Sequence, residues 1–207
     1  MAGTFPSAWQ EVCLVTIQKA GGTAYEFHAI SSTVDISEPD YPWEGIPNLA
    51  GGRIPKQSPQ EDGEVTFEMY AVRTDPNIDN GGLHQHHVGG TADTSQPLIT
   101  DTSWVAGVHR QRDTFLVAIR WTTDTAMTSA TEVTSTADKT ALRFYAKLAR
   151  LTSHKSSFTD GILKQTVTFK FPAMNPTGTT APWAWESTDD TDTSVQPALT
   201  YTSATDL

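Results

Sequence analysis

Two histidines, His84 and His86, stand two residues apart in the segment LHQHHVGG. On a strand, this spacing places both imidazoles on one face, where they could begin a metal site. A metal-dependent β-barrel enzyme would also need a nearby carboxylate and a third histidine. The first carboxylate after His87 is Asp93, and the nearest later histidine is His109. The motif is therefore incomplete, and a polar loop is favoured over a metal site.

An acidic run near the end of the chain is the second candidate for ion binding. Its carboxylates could hold calcium through hard oxygen ligands, but the run lacks the glycine and the closing glutamate of a twelve-residue calcium loop. A solvated run of charges is the favoured interpretation. The residues concerned are Glu186, Asp189, Asp190 and Asp192.

Two tryptophans alternate in APWAWEST, at Trp183 and Trp185. Aromatic faces suit the apolar surfaces of sugars, so a sugar-stacking pair is one interpretation. A subunit contact or a core anchor is the favoured alternative. The only cysteine, Cys13, lies in the apolar segment CLVTI and is expected to be a small core residue, since a lone cysteine cannot form an intramolecular disulfide.

Familiar catalytic motifs are absent from the chain. It contains no GxSxG, HExxH, P-loop or GxGxxG sequence, and no base and nucleophile stand in an evident pair. We therefore expect no enzymatic activity, no catalytic residue, no cofactor and no metal site.

Length and charge restrict the remaining classes of function. The 207 residues fit a single β domain spanning residues 1–207. Fourteen basic against twenty-four acidic residues give a net charge of −10, which argues against tight wrapping of nucleic acid. There is no apolar run of membrane-spanning length, and the first residues lack the pattern of a secretion signal, so no membrane association is expected. Threonine, at about 30 residues, favours β structure.

Three segments alternate between apolar and polar residues with the period of a strand. In each, one face is predicted to be core and the other to be wet. The predicted core faces are Val65, Phe67, Met69 and Ala71 in EVTFEMYAV; Phe115, Val117, Ile119 and Trp121 in DTFLVAIRWT; and Gln165, Val167, Phe169 and Phe171 in KQTVTFKF.

Glycines and prolines mark the connections between strands. Gly21 and Gly22 predict a hairpin between EVCLVTIQ and AYEFHAI, and TVDISE follows as a further strand. Five prolines between residues 39 and 62 predict a long irregular loop, because proline removes ladder donors. Further long loops are predicted at 73–111 and 123–138, with an acidic C-terminal extension at 186–207.

The segment KTALRFYAKLARL admits two interpretations. Lys139, Arg143, Lys147 and Arg150 fall on one side of a 3.6-residue helix, which favours a helix by period alone. A strand would instead direct Phe144, Ala146 and Leu148 inward and continue toward KQTVTFKF.

Two stretches resemble the major tail protein of tailed double-stranded DNA viruses, whose hexameric rings stack into a tail tube. In WEGIPNLAGGRIPKQSPQEDGEVTFEMYAV, a loop around Leu49 to Arg53 leads into an alternating strand. SFTDGILKQTVTFKFPAMNPTG resembles the final hairpin of that family, with Asp160 and Gly161 at its turn. The resemblance runs from about Glu11 to Trp185, and the acidic, threonine-rich composition is similar to that of archaeal virus proteins.

This resemblance implies a mainly β fold, a sandwich or half-barrel of the tail-tube type with long loops and one helix. It favours a strand at 142–151, with the helix near 123–138 or, if the period is right, at 139–150. Strands would join across subunits to close a barrel around a lumen, and the loop at 43–62 would contact the next ring. Polar strand faces would then line the channel, where acidic groups repel the phosphates of DNA.

The resemblance also implies partners and a location. The chain would assemble with itself and with tape-measure, tail-terminator or baseplate proteins, and viral DNA would pass through the lumen without specific binding. It would be made in the host cytoplasm and end in the virion tail. The alternatives are another virion component or adhesin-like binding domain, and a metal-dependent β-barrel enzyme using His84 and His86.

Overall fold

The computed structural model describes residues 12–22, 24–27, 33–57, 59–70, 114–134, 140–188 and 195–203. Within these ranges the protein is mainly β and has no helix. Its strands are β1 (Val12–Lys19), β2 (Ala24–Phe27), β3 (Asp35–Ser37), β4 (Trp43–Pro47), β5 (Arg53–Gln57), β6 (Gly63–Tyr70), β7 (Phe115–Thr122), β8 (Ala141–Thr159), β9 (Ile162–Phe171) and β10 (Trp183–Thr188).

Eight of these strands form one antiparallel sheet in the order β2-β1-β7-β8-β9-β6-β3, with β10 also paired to β8. Strand β8 is 19 residues long and serves two halves of the sheet. Residues 141–149 pair with β7 and, in part, with β10, whereas residues 150–159 pair with β9. We call the first group half A (β2, β1, β7, β10 and residues 141–149) and the second half B (residues 150–159, β9, β6 and β3). The sheet curls into a half-barrel, which confirms the predicted fold class.

Strand β8 changes direction along its length because its pairing with the neighbouring strands is irregular at two places. The register shifts between Phe115 and Val117 on the β7 side and between Leu151 and Ser153 on the β9 side. Leu148 has a φ of 59°, a left-handed conformation that is rare for a bulky residue. An inserted residue reverses which face each later side chain takes, and bulges of this kind bend a strand.

This bend explains why the sequence of β8 does not alternate strictly between apolar and polar residues. Phe144 and Ala146 face the main core before the irregularity, and Ala149 and Leu151 face it afterwards. The inward positions are therefore two, three and two residues apart, so the two-residue alternation of a strand is interrupted once. The prediction of a strand at 142–151 is confirmed, but the predicted inward position of Leu148 is wrong, since Leu148 packs with Leu116 and Tyr201 in a second cluster.

The main core lies on the inner face of the curled sheet and draws on both halves. The predicted core face of β9 is confirmed, and that of β6 is confirmed as far as Met69. In β7, Phe115, Val117 and Ile119 belong to the main core, whereas Trp121 packs at its margin. Its buried members are Val15, Ile17, Val65, Phe67, Met69, Phe115, Val117, Ile119, Phe144, Ala146, Ala149, Leu151, Val167, Phe169 and Phe171.

The predicted irregular loop at 39–62 is corrected by the structure, because it contains the hairpin of β4 and β5. This hairpin is a separate two-stranded sheet. Each of its strands has only one partner, so Pro47 and Pro55 can be accommodated without interrupting a ladder on both sides. Proline therefore excluded a central strand, as predicted, but not an isolated pair of edge strands.

The acidic extension predicted at 186–207 is also corrected where the structure describes it. Strand β10 continues to Thr188, which is buried. Residues 195–203 pack back onto half A, with Gln196 only 2% exposed and Tyr201 fully buried. Residues 123–134, within the predicted loop at 123–138, are irregular as expected, yet several of their side chains are buried. The absence of a strand pattern in this segment therefore does not mean that its side chains are exposed to solvent.

Candidate assembly surfaces

Most of the residues with candidate metal chemistry lie outside the described ranges. These are His84, His86, His87, His109, Asp93, Asp189, Asp190 and Asp192. Within the described ranges, no three His, Cys, Asp or Glu side chains come together as metal ligands.

Glu186 is the described member of the acidic run, and it is not simply solvated. Its carboxylate forms an ion pair with Arg143, whose Nε donates to Glu186 Oε2 at 2.7 Å. The interpretation of this residue as part of a solvated charge run is therefore wrong. Its position on β10, directly opposite Arg143 on β8, explains the pairing.

The two tryptophans of β10 act as anchors between elements. Trp183 packs at the margin of the main core, and its Nε1 donates to Ala173 O at 3.2 Å. Trp185 stacks on Trp121 with ring centroids 6.1 Å apart, and its Nε1 donates to Glu38 Oε1 at 2.6 Å. Because Glu38 directly follows β3, this last bond joins the β10 edge of half A to the β3 edge of half B. Stacking on Trp121 takes up one ring face, which disfavours a sugar platform.

Cys13 lies on β1 and packs at the margin of the main core. Burial raises the pKa of its thiol to about 11. The thiolate is the reactive form of cysteine, so this environment suits a small apolar residue rather than a nucleophile.

Two buried arginines dominate the outer face of half A. Arg120 on β7 and Arg143 on β8 are direct cross-strand neighbours, and both are 0% exposed. Residues 123–134, here called the threonine-rich cover, lie over them and supply backbone acceptors. Arg120 donates from Nη1 to Ser129 O at 3.1 Å and from Nη2 to Glu132 O at 2.5 Å. The cover is thus held to the sheet by charged donors.

Arg143 connects the cover to a second segment, residues 195–203, here called the C-terminal strap. Its Nη1 donates to carbonyls of the cover at Ala130 and Glu132, each at 3.3 Å, and its Nη2 donates to Pro197 O at 2.6 Å. With the Glu186 carboxylate, one guanidinium therefore joins β8, β10, the cover and the strap. Such multidentate contacts use the fixed geometry of arginine, which lysine cannot reproduce.

Burial is the main electrostatic cost at this site. It lowers the pKa of Arg120 to about 10, and the charge of Arg143 acts in the same direction. Burial also lowers the pKa of Arg143, while Glu186 opposes that change. Both side chains remain cationic near neutral pH, so their charges depend on the carbonyls and the carboxylate for stabilisation.

Backbone and hydroxyl contacts complete the attachment of the cover and the strap. Thr16 Oγ1 donates to Glu26 Oε2 at 2.6 Å and accepts from Ala130 N at 2.9 Å. In the strap, Leu199 N donates to Thr131 O at 2.9 Å and Tyr201 Oη donates to Thr114 Oγ1 at 2.9 Å. The prediction of a wet second face for β7 is therefore wrong, and this part of the sheet cannot line a channel as folded.

The outer face of half B is different, because no described segment covers it. Its residues alternate with the core residues and are half-buried or exposed. Thr66 and Thr168 face each other across β6 and β9 with hydroxyl oxygens 2.9 Å apart, and Lys170 pairs with Glu64 at 3.5 Å. This open polar face is the part of the alternating strands that remains available to a lumen or to a partner.

The β4–β5 hairpin carries the most exposed apolar group of the described chain. Ile46 and Ile54 are cross-strand partners, 47% and 57% exposed, and share a face beside the Glu44–Lys56 ion pair. Leu49 at the tip is fully exposed. Contiguous exposed apolar residues of this kind commonly mark an interaction site.

The tip of this hairpin is an ordered turn. Asn48 Oδ1 accepts from Ala50 N at 3.1 Å and from Gly52 N at 2.8 Å, while Gly51 adopts a φ of 82°. An asparagine that bonds to its own following backbone stabilises a turn, and glycine takes positive φ without steric cost. Leu49 is therefore held outward on a defined scaffold.

Comparisons with known proteins give likenesses in structure only. No family model and no curated protein matches the chain. A sheath/tube terminator of the PVC extracellular contractile injection system is 11% identical over 89% of this chain and 99% of that chain, with a TM-score of 0.49. A chain of the sheath–tube complex from the same system is 11% identical over 89% of this chain and 93% of that chain, with a TM-score of 0.47. Hcp1 from Flavobacterium johnsoniae is 8% identical over 76% of this chain and 89% of that chain, with a TM-score of 0.32. Since all three TM-scores lie below 0.5, we base the function below on the chain's own residues.

The part of the chain that the structure describes contains no helix of the length and apolarity needed to cross a bilayer.

Proposed function

We propose that this protein is a structural tail-tube subunit of a tailed virus and that it has no enzymatic activity. The observation that carries the proposal is the β4–β5 hairpin, a structured projection with exposed apolar residues at the positions that the sequence resemblance assigns to ring stacking. Ile46, Leu49 and Ile54 would lose solvent on contact with a second copy, at a gain of roughly 25 cal/mol per Å² of apolar surface.

Unpaired strand edges support assembly within a ring. In the described structure, β3 pairs only with β6, and residues 150–159 of β8 pair only with β9. Exposed edges present unpaired N–H and C=O groups that a neighbouring chain can satisfy, and closure into a barrel removes them. Hexameric rings that stack through the hairpin would form a tube, and DNA would pass through its lumen without specific binding.

The same proposal includes the remaining expectations from the resemblance. The subunit is made in the host cytoplasm, joins the virion tail and contacts tape-measure, terminator or baseplate proteins. The net charge of −10 fits a lumen that does not retain DNA, because like charges repel phosphates. An archaeal virus is the proposed source.

Electron microscopy of the purified chain tests this function. We expect rings, and tubes of stacked rings at high protein concentration. The Leu49→Ser variant should form rings that stack poorly, because it removes the apolar contact at the hairpin tip. Val133→Ser is the control, since Val133 is also an exposed aliphatic residue (46%) but lies on the cover, away from the hairpin. Monomers that persist at high concentration, together with virions that carry the gene but lack a tube, would contradict the proposal.

A further inference from the structure

Half B has an uneven distribution of charge along its strands. The β3 and β6 side, residues 33–42 and 59–70, contains seven carboxylates and no lysine or arginine. The β8 and β9 side, residues 150–170, contains four lysines or arginines and a single aspartate. The acidic set is Asp35, Glu38, Asp40, Glu61, Asp62, Glu64 and Glu68, and the basic set is Arg150, Lys155, Lys164 and Lys170.

Strand register brings the basic set and three members of the acidic set, Asp35, Glu64 and Glu68, to the open outer face. On the outer face, Thr166 of β9 lies between Glu68 of β6 and Lys155 of β8. Asp35 of β3 lies opposite Thr66 of β6 on the same face. Inside the subunit, Glu64 and Lys170 join the two sets at one end of this face through their ion pair. At the other end Lys155 and Lys164 form no ion pair within the described residues, and neither do Asp35 and Glu68.

The charged sets also coincide with the two edges of half B that have no partner strand in the part of the chain that the structure describes. The acidic edge is strand β3, and the basic edge is the segment 150–159 of β8. That segment contains Phe158, which is 76% exposed. Lysine on an edge strand prevents pairing with an identical edge, but it favours an edge of opposite charge. Each edge is therefore unsuited to its own copy and suited to the other.

We infer that half B is a head-to-tail interface, in which the basic β8–β9 edge of one copy docks against the acidic β3–β6 edge of the next. The inference rests on the proposed function and specifies the direction of contact within its ring. A contact between two different edges is heterologous, so repetition gives a closed ring or an open filament rather than a two-fold dimer. Phe158 lies on the same edge strand as Lys155 but on its opposite face, and its exposed ring would be buried at this contact.

The partner is a second copy because the required charge is present on the same chain at a separate edge. Complementary charges across an interface guide approach and determine orientation more than they add affinity. Salt screens such charges, since the Debye length is about 10 Å at 0.1 M ionic strength. Association should therefore weaken as salt rises, in contrast to the apolar contact of the β4–β5 hairpin.

Charge reversal tests the inference by sedimentation velocity at low salt. Lys155→Glu with Lys164→Glu makes both edges acidic, and Asp35→Lys with Glu68→Lys makes both edges basic. We expect each double variant to associate at least about ten-fold more weakly than the parent chain, because like charges then face each other. Lys147→Glu is the matched control, since Lys147 lies on β8 before the segment that pairs with β9.

Two combinations separate charge complementarity from damage to the fold. Mixing the two double variants in equal amounts should restore association, because each then offers the edge that the other requires. The chain with all four reversals should also associate with itself. Failure of both combinations to associate, or normal association of the first double variant, would overturn the inference.

The same experiment distinguishes this inference from the proposed function. Rings that form equally well with reversed charges would leave the tube function standing and overturn the head-to-tail pairing. Open filaments or small oligomers that respond to charge as expected, without rings in micrographs, would support the pairing and contradict the tube.

Discussion

The outer faces of the two halves of the sheet differ although their strands share one alternating pattern. In half A, the threonine-rich cover and the C-terminal strap bury Arg120, Arg143 and their neighbours. In half B, no described segment lies over Thr66, Thr168 and the lysines of β9. The difference shows that a polar composition does not by itself mean that a strand face is exposed to solvent. Half A is a closed scaffold, and half B is the side with surface available for contact.

The largest expected effect concerns the arginine that holds the covered face. Arg143→Met leaves the Glu186 carboxylate and the carbonyls of Ala130 and Pro197 without their donor, so the free energy of unfolding should fall by about 3–5 kcal/mol. Arg150→Met is the matched control on the same strand, where an exposed arginine should contribute less than about 1 kcal/mol. Urea denaturation followed by tryptophan fluorescence measures both. Equal losses would contradict the contrast between the two halves.

No described segment covers half B, so the stability of its described part depends on its inner face. A Cβ at Gly63 would lie 2.3 Å from Phe171 Cζ and 2.9 Å from Pro39 Cδ. Gly63→Ala should therefore destabilise the protein by about 1–3 kcal/mol through overpacking. Adding Phe171→Leu should recover part of this loss, and a double-mutant cycle in urea measures the coupling. Additive losses would exclude a clash with the Phe171 ring.

Matched threonines sharpen the comparison between the outer faces. Thr122 Oγ1 on the covered face donates to Thr140 O at 3.1 Å and accepts from Asp124 N at 3.0 Å, so Thr122→Val should cost about 1–2 kcal/mol. Thr168→Val on the open face should change stability by no more than about 0.5 kcal/mol, because water can replace the lost partner. Thermal unfolding of the two variants compares them directly. A larger loss at Thr168 would reverse the assignment of scaffold and open face.

The smallest effect is expected at the strap. Tyr201→Phe removes the hydrogen bond to Thr114 but keeps the buried ring, so the loss should be about 0.5–1.5 kcal/mol. Tyr41→Phe should have no measurable effect, since Tyr41 is 70% exposed. Hydrogen exchange at residues 195–203 shows whether the strap loosens alone or with the sheet. An unchanged strap in Tyr201→Phe would mean that its backbone contacts suffice.

Particular residues show how far the sequence could predict the assembly surfaces. The hairpin region is predicted to be a contact because it resembles a stacking segment, and its prolines led to the prediction of an irregular loop. Arg120 is predicted to lie on a wet strand face, and Arg143 on the basic side of a possible helix. One signal was available, since Arg120 stands among apolar residues in FLVAIRWT. Its partners are carbonyls of residues 129–132 and Pro197, and backbone carbonyls leave no mark in a side-chain pattern.

The sequence by itself determined the mainly β character, the inner faces of β6, β7 and β9, and the absence of known catalytic motifs. These follow from local periodicity and residue type, which act over a few residues. Only the tertiary structure decided which outer face is buried, where β8 bends and how charge is divided across half B. Those features depend on contacts between segments distant in the chain, such as Arg143 with Glu186 and Pro197, and on two shifts in the pairing of β8 that are visible only in the strand register.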